Sequence, residues 1–252
     1  MKSRLVVSLI GVSLAASVQA TQRPYYFYAV DPGSGRIFAA GGSTAESRNA
    51  LVSLSPGGSL QSIVFKAEGE LIALALDRTL SRLAVLERVI ELPAKTAQPN
   101  FREGKRDGFE RSTLHVLNFD GSKVLSVPNV RNFAWRPDGT QLAVALGNYQ
   151  GHDRDPTITE VRIVGIDGTR RTIAPAGLYL TWANFDDSIY IWDTATAGKP
   201  TVNRYDPAAN RLEPTQYHSV YFSRSGAYYY KPEGVAGRPG LYRRNTNADL
   251  TS

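Results

Sequence analysis

Apolar residues in this chain fall in short runs broken by Pro, Gly, Asn and Asp, the pattern of strands joined by tight turns. The clearest case runs from Asn132 to Ala145, where two apolar segments flank Pro137-Asp138-Gly139. Proline presets the second turn position, and glycine accepts the left-handed conformation that closes a hairpin.

The unit recurs. Trp135 lies seven residues before Leu142, and the same offset joins Val30 to Ile37, Leu76 to Leu83 and Trp182 to Ile189. In a fifth copy Phe222 precedes Gly226 by four residues, as Trp135 precedes Gly139. The anchors Val30, Leu76, Trp135, Trp182 and Phe222 are 46, 59, 47 and 40 residues apart, the period of four-stranded propeller blades. Each unit carries a second hairpin, turning at Pro56-Gly57-Gly58, Asp120-Gly121, Asp167-Gly168, Asp206-Pro207 and Asn245–Ala248. The expected fold is an all-β propeller of about five four-stranded blades. Its fifth blade is thin, since only Asp249 to Ser252 remain for the outer strand. A closed or nearly closed ring requires Tyr25–Val30 to meet the C-terminal strands.

Phe133-Ala-Trp-Arg-Pro-Asp-Gly139, followed by Leu142-Ala-Val144 and the Asp167-Gly168 hairpin, resembles the Pro-Asp repeats of TolB-type β-propellers. The resemblance spans residues 21–252. It is specific in the third unit and weaker elsewhere, where Asp31-Pro32, Asp186-Asp187 and Ser225-Gly226 stand in place of the motif. It implies an exported protein that acts through protein contacts. TolB-type proteins carry a longer propeller and a separate preceding domain, so their particular role does not transfer directly.

Residues 1–20 are set apart from that domain. Lys2 and Arg4 precede an apolar stretch from Leu5 to Leu14 that is too short to span a bilayer, and Val18-Gln19-Ala20 has small residues where a signal peptidase reads. Cleavage near Ala20 would place residues 21–252, a single domain, in the periplasm or outside the cell. No later stretch is long and apolar enough to suggest a transmembrane helix. The chain has no cysteine, so neither disulfides nor a lipid-attachment cysteine is available and stability must come from packing. The net charge is +6, and removing the two charges of Lys2 and Arg4 leaves +4. That excess fits an anionic partner and falls short of a nucleic-acid binder.

Two connections between second and third strands depart from the others. Glu91 to Arg111 accounts for the 59-residue spacing and interleaves Lys95, Arg102, Lys105, Arg106 and Arg111 with Phe101 and Phe109. Cations beside aromatics suit an anionic or protein partner. A solvated insertion of mixed charge is the competing reading. Gly147 to Pro156 holds His152, Asp153, Arg154 and Asp155: a polar binding patch, a metal site whose Asp153/Asp155 spacing is like a calcium loop but lacks that motif's other ligands and turn glycine, or an ordinary loop with internal ion pairs. The candidate binding residues are therefore Lys105, Arg106, Phe109, Arg111, His152, Asp153 and Arg154, expected on one surface of adjacent blades. The expected partner is a cell-envelope protein or another anionic ligand.

Catalytic signatures are sparse. No Gly-x-Ser-x-Gly elbow occurs after residue 20, cysteine chemistry is excluded, and His115, His152 and His218 have no recognised metal-ligand spacing. No cofactor, metal or catalytic residue is assigned. The alternative is a carbohydrate-active or sugar-binding five-bladed propeller, but a glycosidase needs paired carboxylates and only Glu70 is placed to face the channel mouth. Trp135 and Trp182 are expected in blade-to-blade packing rather than under a sugar.

Overall fold

The computed structural model describes residues 25–42, 44–77, 79–91, 109–148, 157–193, 201–217, 219–223, 225–231, 240–243 and 248–249. The proposed signal segment, residues 1–20, lies outside them. Among the described residues, twenty strands form five antiparallel sheets, each of four consecutive strands. The first sheet contains β1 (Phe27–Val30), β2 (Ile37–Ala40), β3 (Ala50–Leu54) and β4 (Leu60–Lys66), with a single helical turn, α1 (Ala45–Arg48), between β2 and β3. The second contains β5 (Glu70–Asp77), β6 (Arg82–Glu91), β7 (Phe109–Asn118) and β8 (Lys123–Pro128). The third contains β9 (Val130–Trp135), β10 (Gln141–Asn148), β11 (Thr157–Gly165) and β12 (Arg170–Ala174). The fourth contains β13 (Tyr179–Trp182), β14 (Ile189–Asp193), β15 (Thr201–Asp206) and β16 (Arg211–Pro214). The fifth contains β17 (Tyr221–Phe222), β18 (Tyr228–Lys231), β19 (Gly240–Arg243) and β20 (Ala248–Asp249).

The seven-residue offset is the register of the inner hairpin. Val30 pairs with Ile37, Leu76 with Leu83, Trp135 with Leu142, Trp182 with Ile189 and Phe222 with Tyr229. Strands inside a stack of sheets are covered on both faces, which is why Leu142 to Ala145 is continuously apolar and fully buried. Leu142 and Val144 face the second sheet through one core cluster, whereas Ala143 and Ala145 face the fourth through another. Trp182 lies in that second cluster and Trp135 packs against the first, so both tryptophans are packing residues as expected. Phe38, Leu51, Leu83 and Val85 join the first two sheets. The last two meet through rings, with Tyr190 and Phe222 4.5 Å apart between centroids.

The Pro137-Asp138-Gly139 turn fastens three blades together. Gly139 has φ +72°, and a β-carbon there would come within 2.2 Å of the Asp77 carboxylate in the second sheet. Thr79 Oγ1 donates to Pro137 O at 3.1 Å on the same side. Toward the fourth sheet, Arg136 forks onto Asp187 at 2.6 and 3.1 Å and lies over the Trp182 ring, while Trp182 Nε1 donates to Asp187 Oδ1 at 2.9 Å.

The first and fifth sheets share no strand, and among the described residues no strand pairing or core cluster joins them. Tyr221, Tyr230 and Leu241 remain exposed on the fifth sheet. Among the described residues its two edge strands, β17 and β20, have two residues each.

The turns carry a repeated carboxylate device: an aspartate accepts the backbone N–H two residues on, at 3.1 Å for Asp31, 2.8 Å for Asp120, 2.9 Å for Asp138 and 3.0 Å for Asp167. Hydroxyls of Ser34, Ser122 and Thr169 also donate to Asp31, Asp120 and Asp167, holding these carboxyls below the ordinary aspartate range. A carboxyl lowered in the folded chain stabilises it fully above the unfolded value near 4 and loses that contribution as pH falls through the folded value. The urea midpoint should therefore hold steady from about pH 7 to 5 and fall below about pH 4. Asp167→Asn, which keeps an acceptor oxygen but does not titrate, should make that acid decline shallower; an equally steep decline would remove Asp167 from the account.

Candidate functional site

Turns between first and second strands, and between third and fourth, share one end of the sheets. Connections from second to third strands, and from sheet to sheet, share the other, here termed the loop end. Two hairpins are extended toward the loop end. β6 and β7 pair over ten residues, from Arg82↔Asn118 to Glu91↔Phe109, and β10 and β11 pair from Gln141↔Gly165 to Asn148↔Thr157. In the fourth sheet the described part of the equivalent ladder runs from Ile189↔Tyr205 to Asp193↔Thr201. The connections these long stems carry, residues 92–108 and 149–156, therefore leave the same end of neighbouring sheets.

This corrects the boundaries read from sequence. Phe109 and Arg111 are not loop residues: they belong to β7, where Phe109 pairs with Glu91 and Arg111 with Val89. The reason is cross-strand pairing, which carries the charged Phe-Glu-Arg segment along an apolar partner, Val89-Ile90. Arg111 is exposed on this stem. Lys105, Arg106, His152, Asp153 and Arg154, and the side chain of Phe109, lie outside the described residues.

Beneath the two connections lies a residue that composition did not single out. Arg131, on the inner strand β9, donates from Nη1 to Glu110 Oε1 at 3.1 Å, from Nη2 to Glu110 O at 3.2 Å and from Nε to Gly147 O at 2.9 Å. Its side chain is 4% exposed and that of Glu110 is 13% exposed. Glu110 belongs to the stem of one connection and Gly147 to the stem of the other, so one guanidinium ties both together. The backbone supports the same junction: Ser112 Oγ donates to Val130 O at 2.5 Å, Asn129 N to Ser112 O at 2.7 Å, and Gly147 N to Asn129 O at 2.9 Å. Asn129 takes φ +59°, a conformation asparagine tolerates, to make that corner. The sequence signal that could have found Arg131 is a lone cation on an apolar inner strand, which must pair if buried.

Glu70, the one carboxylate considered for glycosidase chemistry, is engaged by Arg88 at 2.7 Å instead of facing a second acid. A buried polar chain runs below it. His115 Nε2 meets Glu87 Oε2 at 2.7 Å, its Nδ1 meets Ser126 Oγ at 2.9 Å, and Gly69 N donates to Glu87 Oε1 at 2.6 Å. Burial works against the Glu87 charge, yet the Gly69 N–H and His115 outweigh it and hold the carboxyl below its ordinary range. The bonding order is that of a hydrolytic relay, but His115 packs against the Phe65 ring between the first and second sheets, where each polar group finds a partner and the chain serves packing. Among the described residues no three His, Cys, Asp or Glu side chains converge to hold a metal ion, and no helix is long and apolar enough to cross a membrane.

No known protein-family profile and no curated protein sequence matches the chain. Solved structures do match its fold. The acylaminoacyl peptidase of Pyrococcus horikoshii aligns with TM-score 0.58 at 12% identity, over 85% of this chain and 36% of the peptidase. An oligogalacturonate lyase in complex with manganese aligns with TM-score 0.59 at 10% identity, over 88% of this chain and 62% of the lyase. A TolB of Agrobacterium tumefaciens aligns with TM-score 0.52 at 14% identity, over 88% of this chain and 77% of that protein. The chain thus spans about a third of the peptidase's length and under two thirds of the lyase's. Identities this low support a shared propeller-like fold and no shared chemistry.

Proposed function

We propose that this chain is an exported, TolB-like propeller that works as a binding scaffold in the cell envelope, engaging a protein or another anionic ligand through the loop end of its second and third sheets. The observation that carries the reading is the Arg131 junction. A guanidinium buried between Glu110 and Gly147 makes two hairpin stems one support, so residues of both connections are offered from a common base. Rigid stems beneath exposed loops are a common arrangement for recognition. Lys105, Arg106 and Arg111 supply the attraction, and His152, Asp153 and Arg154 the adjoining polar contacts. The TolB likeness and the pattern of residues 1–20 favour the envelope as its location.

Charge reversal tests this. Replacing Lys105, Arg106 and Arg111 together by glutamate should lower capture of an envelope partner by about tenfold or more, since rim charges steer association and like charges repel. The loss should be greatest at low salt. Equal capture by the variant and the parent chain would refute the assignment.

A further inference from the structure

We infer that the two end faces of the stack, on the first and fifth sheets, form an interface with a second copy of this chain, the first sheet of one copy meeting the fifth sheet of the other. Exposed apolar residues scattered singly are ordinary on a protein surface. Here they are concentrated. Of eleven large apolar residues that stay exposed among the described ones, eight lie on these two sheets: Tyr26, Tyr28, Val30, Leu60 and Ile63 at the first, and Tyr221, Tyr230 and Leu241 at the fifth. Strand alternation fixes their facing. Phe27, Phe38 and Leu51 pack toward the second sheet, so Tyr28, Ala39 and Val52 point away from it. The register rows Tyr28–Ala39–Val52–Ile63 and Val30–Ile37–Leu54–Leu60 cross that outer face and are apolar at every position. Ala39 and Val52, packed by Tyr25 and Leu54, make a buried floor, with the larger exposed side chains on the strands to either side. On the fifth sheet Phe222 packs on Tyr190 of the fourth and pairs with Tyr229, which leaves the row Tyr221–Tyr230–Leu241 on the other side.

The repeat defines what each face is built to meet. Every internal joint of the stack sets one face of a sheet against the opposite face of the next, through four successive core clusters. Five sheets leave one face of each kind unused, so the complement of the first sheet's outer face is the fifth sheet's outer face. Within one chain, no strand pairing or core cluster among the described residues joins them. A second copy supplies the missing half. With roughly 100 Å² left on each half-exposed side chain, the two faces together offer about 800 Å², the apolar share of a standard protein interface. A contact between unlike faces is head to tail. It uses neither of the connections 92–108 and 149–156, so it stands independently of the scaffold role.

Sedimentation velocity of the purified full chain should show self-association that grows with concentration. Ile63→Lys alters the first face and Tyr230→Lys the fifth. Each alone should weaken association by about tenfold or more, because it sets a charge against apolar partners. The melting temperature in dilute solution should stay unchanged, since both side chains are exposed in the single chain. An equimolar mixture of the two variants should form a one-to-one pair, because one keeps an intact fifth face and the other an intact first face. A parent chain that stays monomeric, a mixture that does not pair, or a variant that associates as the parent does overturns the proposal. A monomeric parent with a lowered melting temperature in both variants would mean instead that the two faces close on each other within one chain.

Discussion

Replacing Gly139 by alanine is expected to destabilise the fold by about 3 kcal/mol or more, a fall in melting temperature of roughly 6–12 °C for a chain of this size. Two costs combine. An L-residue at φ +72° pays about 1–2 kcal/mol for the left-handed conformation alone. The new methyl group would also lie 2.2 Å from the Asp77 carboxylate, which cannot swing aside easily because it accepts Thr79 N at 3.0 Å and Leu80 N at 2.8 Å. Gly168 provides the control: it has φ +89° but open space where a β-carbon would go. Gly168→Ala should therefore show only the conformational cost, about 1–2 kcal/mol by urea unfolding. Equal losses at the two positions would mean that the Pro-Asp-Gly turn does not fasten the blades.

Arg131→Met carries the second large effect. It removes the guanidinium's bonds to Glu110 Oε1, Glu110 O and Gly147 O and should cost about 2–3 kcal/mol, because hydrogen bonds to charged groups in a largely water-excluded place are worth about 1.5–3 kcal/mol. Arg131→Met/Glu110→Leu should recover most of that stability, since apolar replacement of a whole pair is often neutral. It should not recover partner capture, because the bonds from one stem to the other are still missing. A double variant that captures its partner as the parent does would separate the junction from recognition.

The fold was legible because its register is local. A seven-residue offset closes a hairpin wherever it occurs, so Val30, Leu76, Trp135 and Trp182 located their partners from sequence alone. The site was less legible because its bonds are not local. The Phe109–Arg111 segment looks like loop by charge, and only its ladder with Val89–Glu91 makes it strand. Arg131 gains meaning from Glu110 and Gly147, which lie on two different hairpins. The relay through Glu87, His115 and Ser126 likewise draws on three strands.

In the proposed scaffold role, the connections 92–108 and 149–156 present one surface to one partner. Photo-crosslinking side chains placed singly at positions 105 and 152, with a third at position 138 on the opposite end, test it most directly in the intact chain under native envelope conditions. Positions 105 and 152 should label the same envelope component, and position 138 should not. Labelling of different components from 105 and 152, or equal labelling from 138, would contradict a shared recognition surface at the loop end.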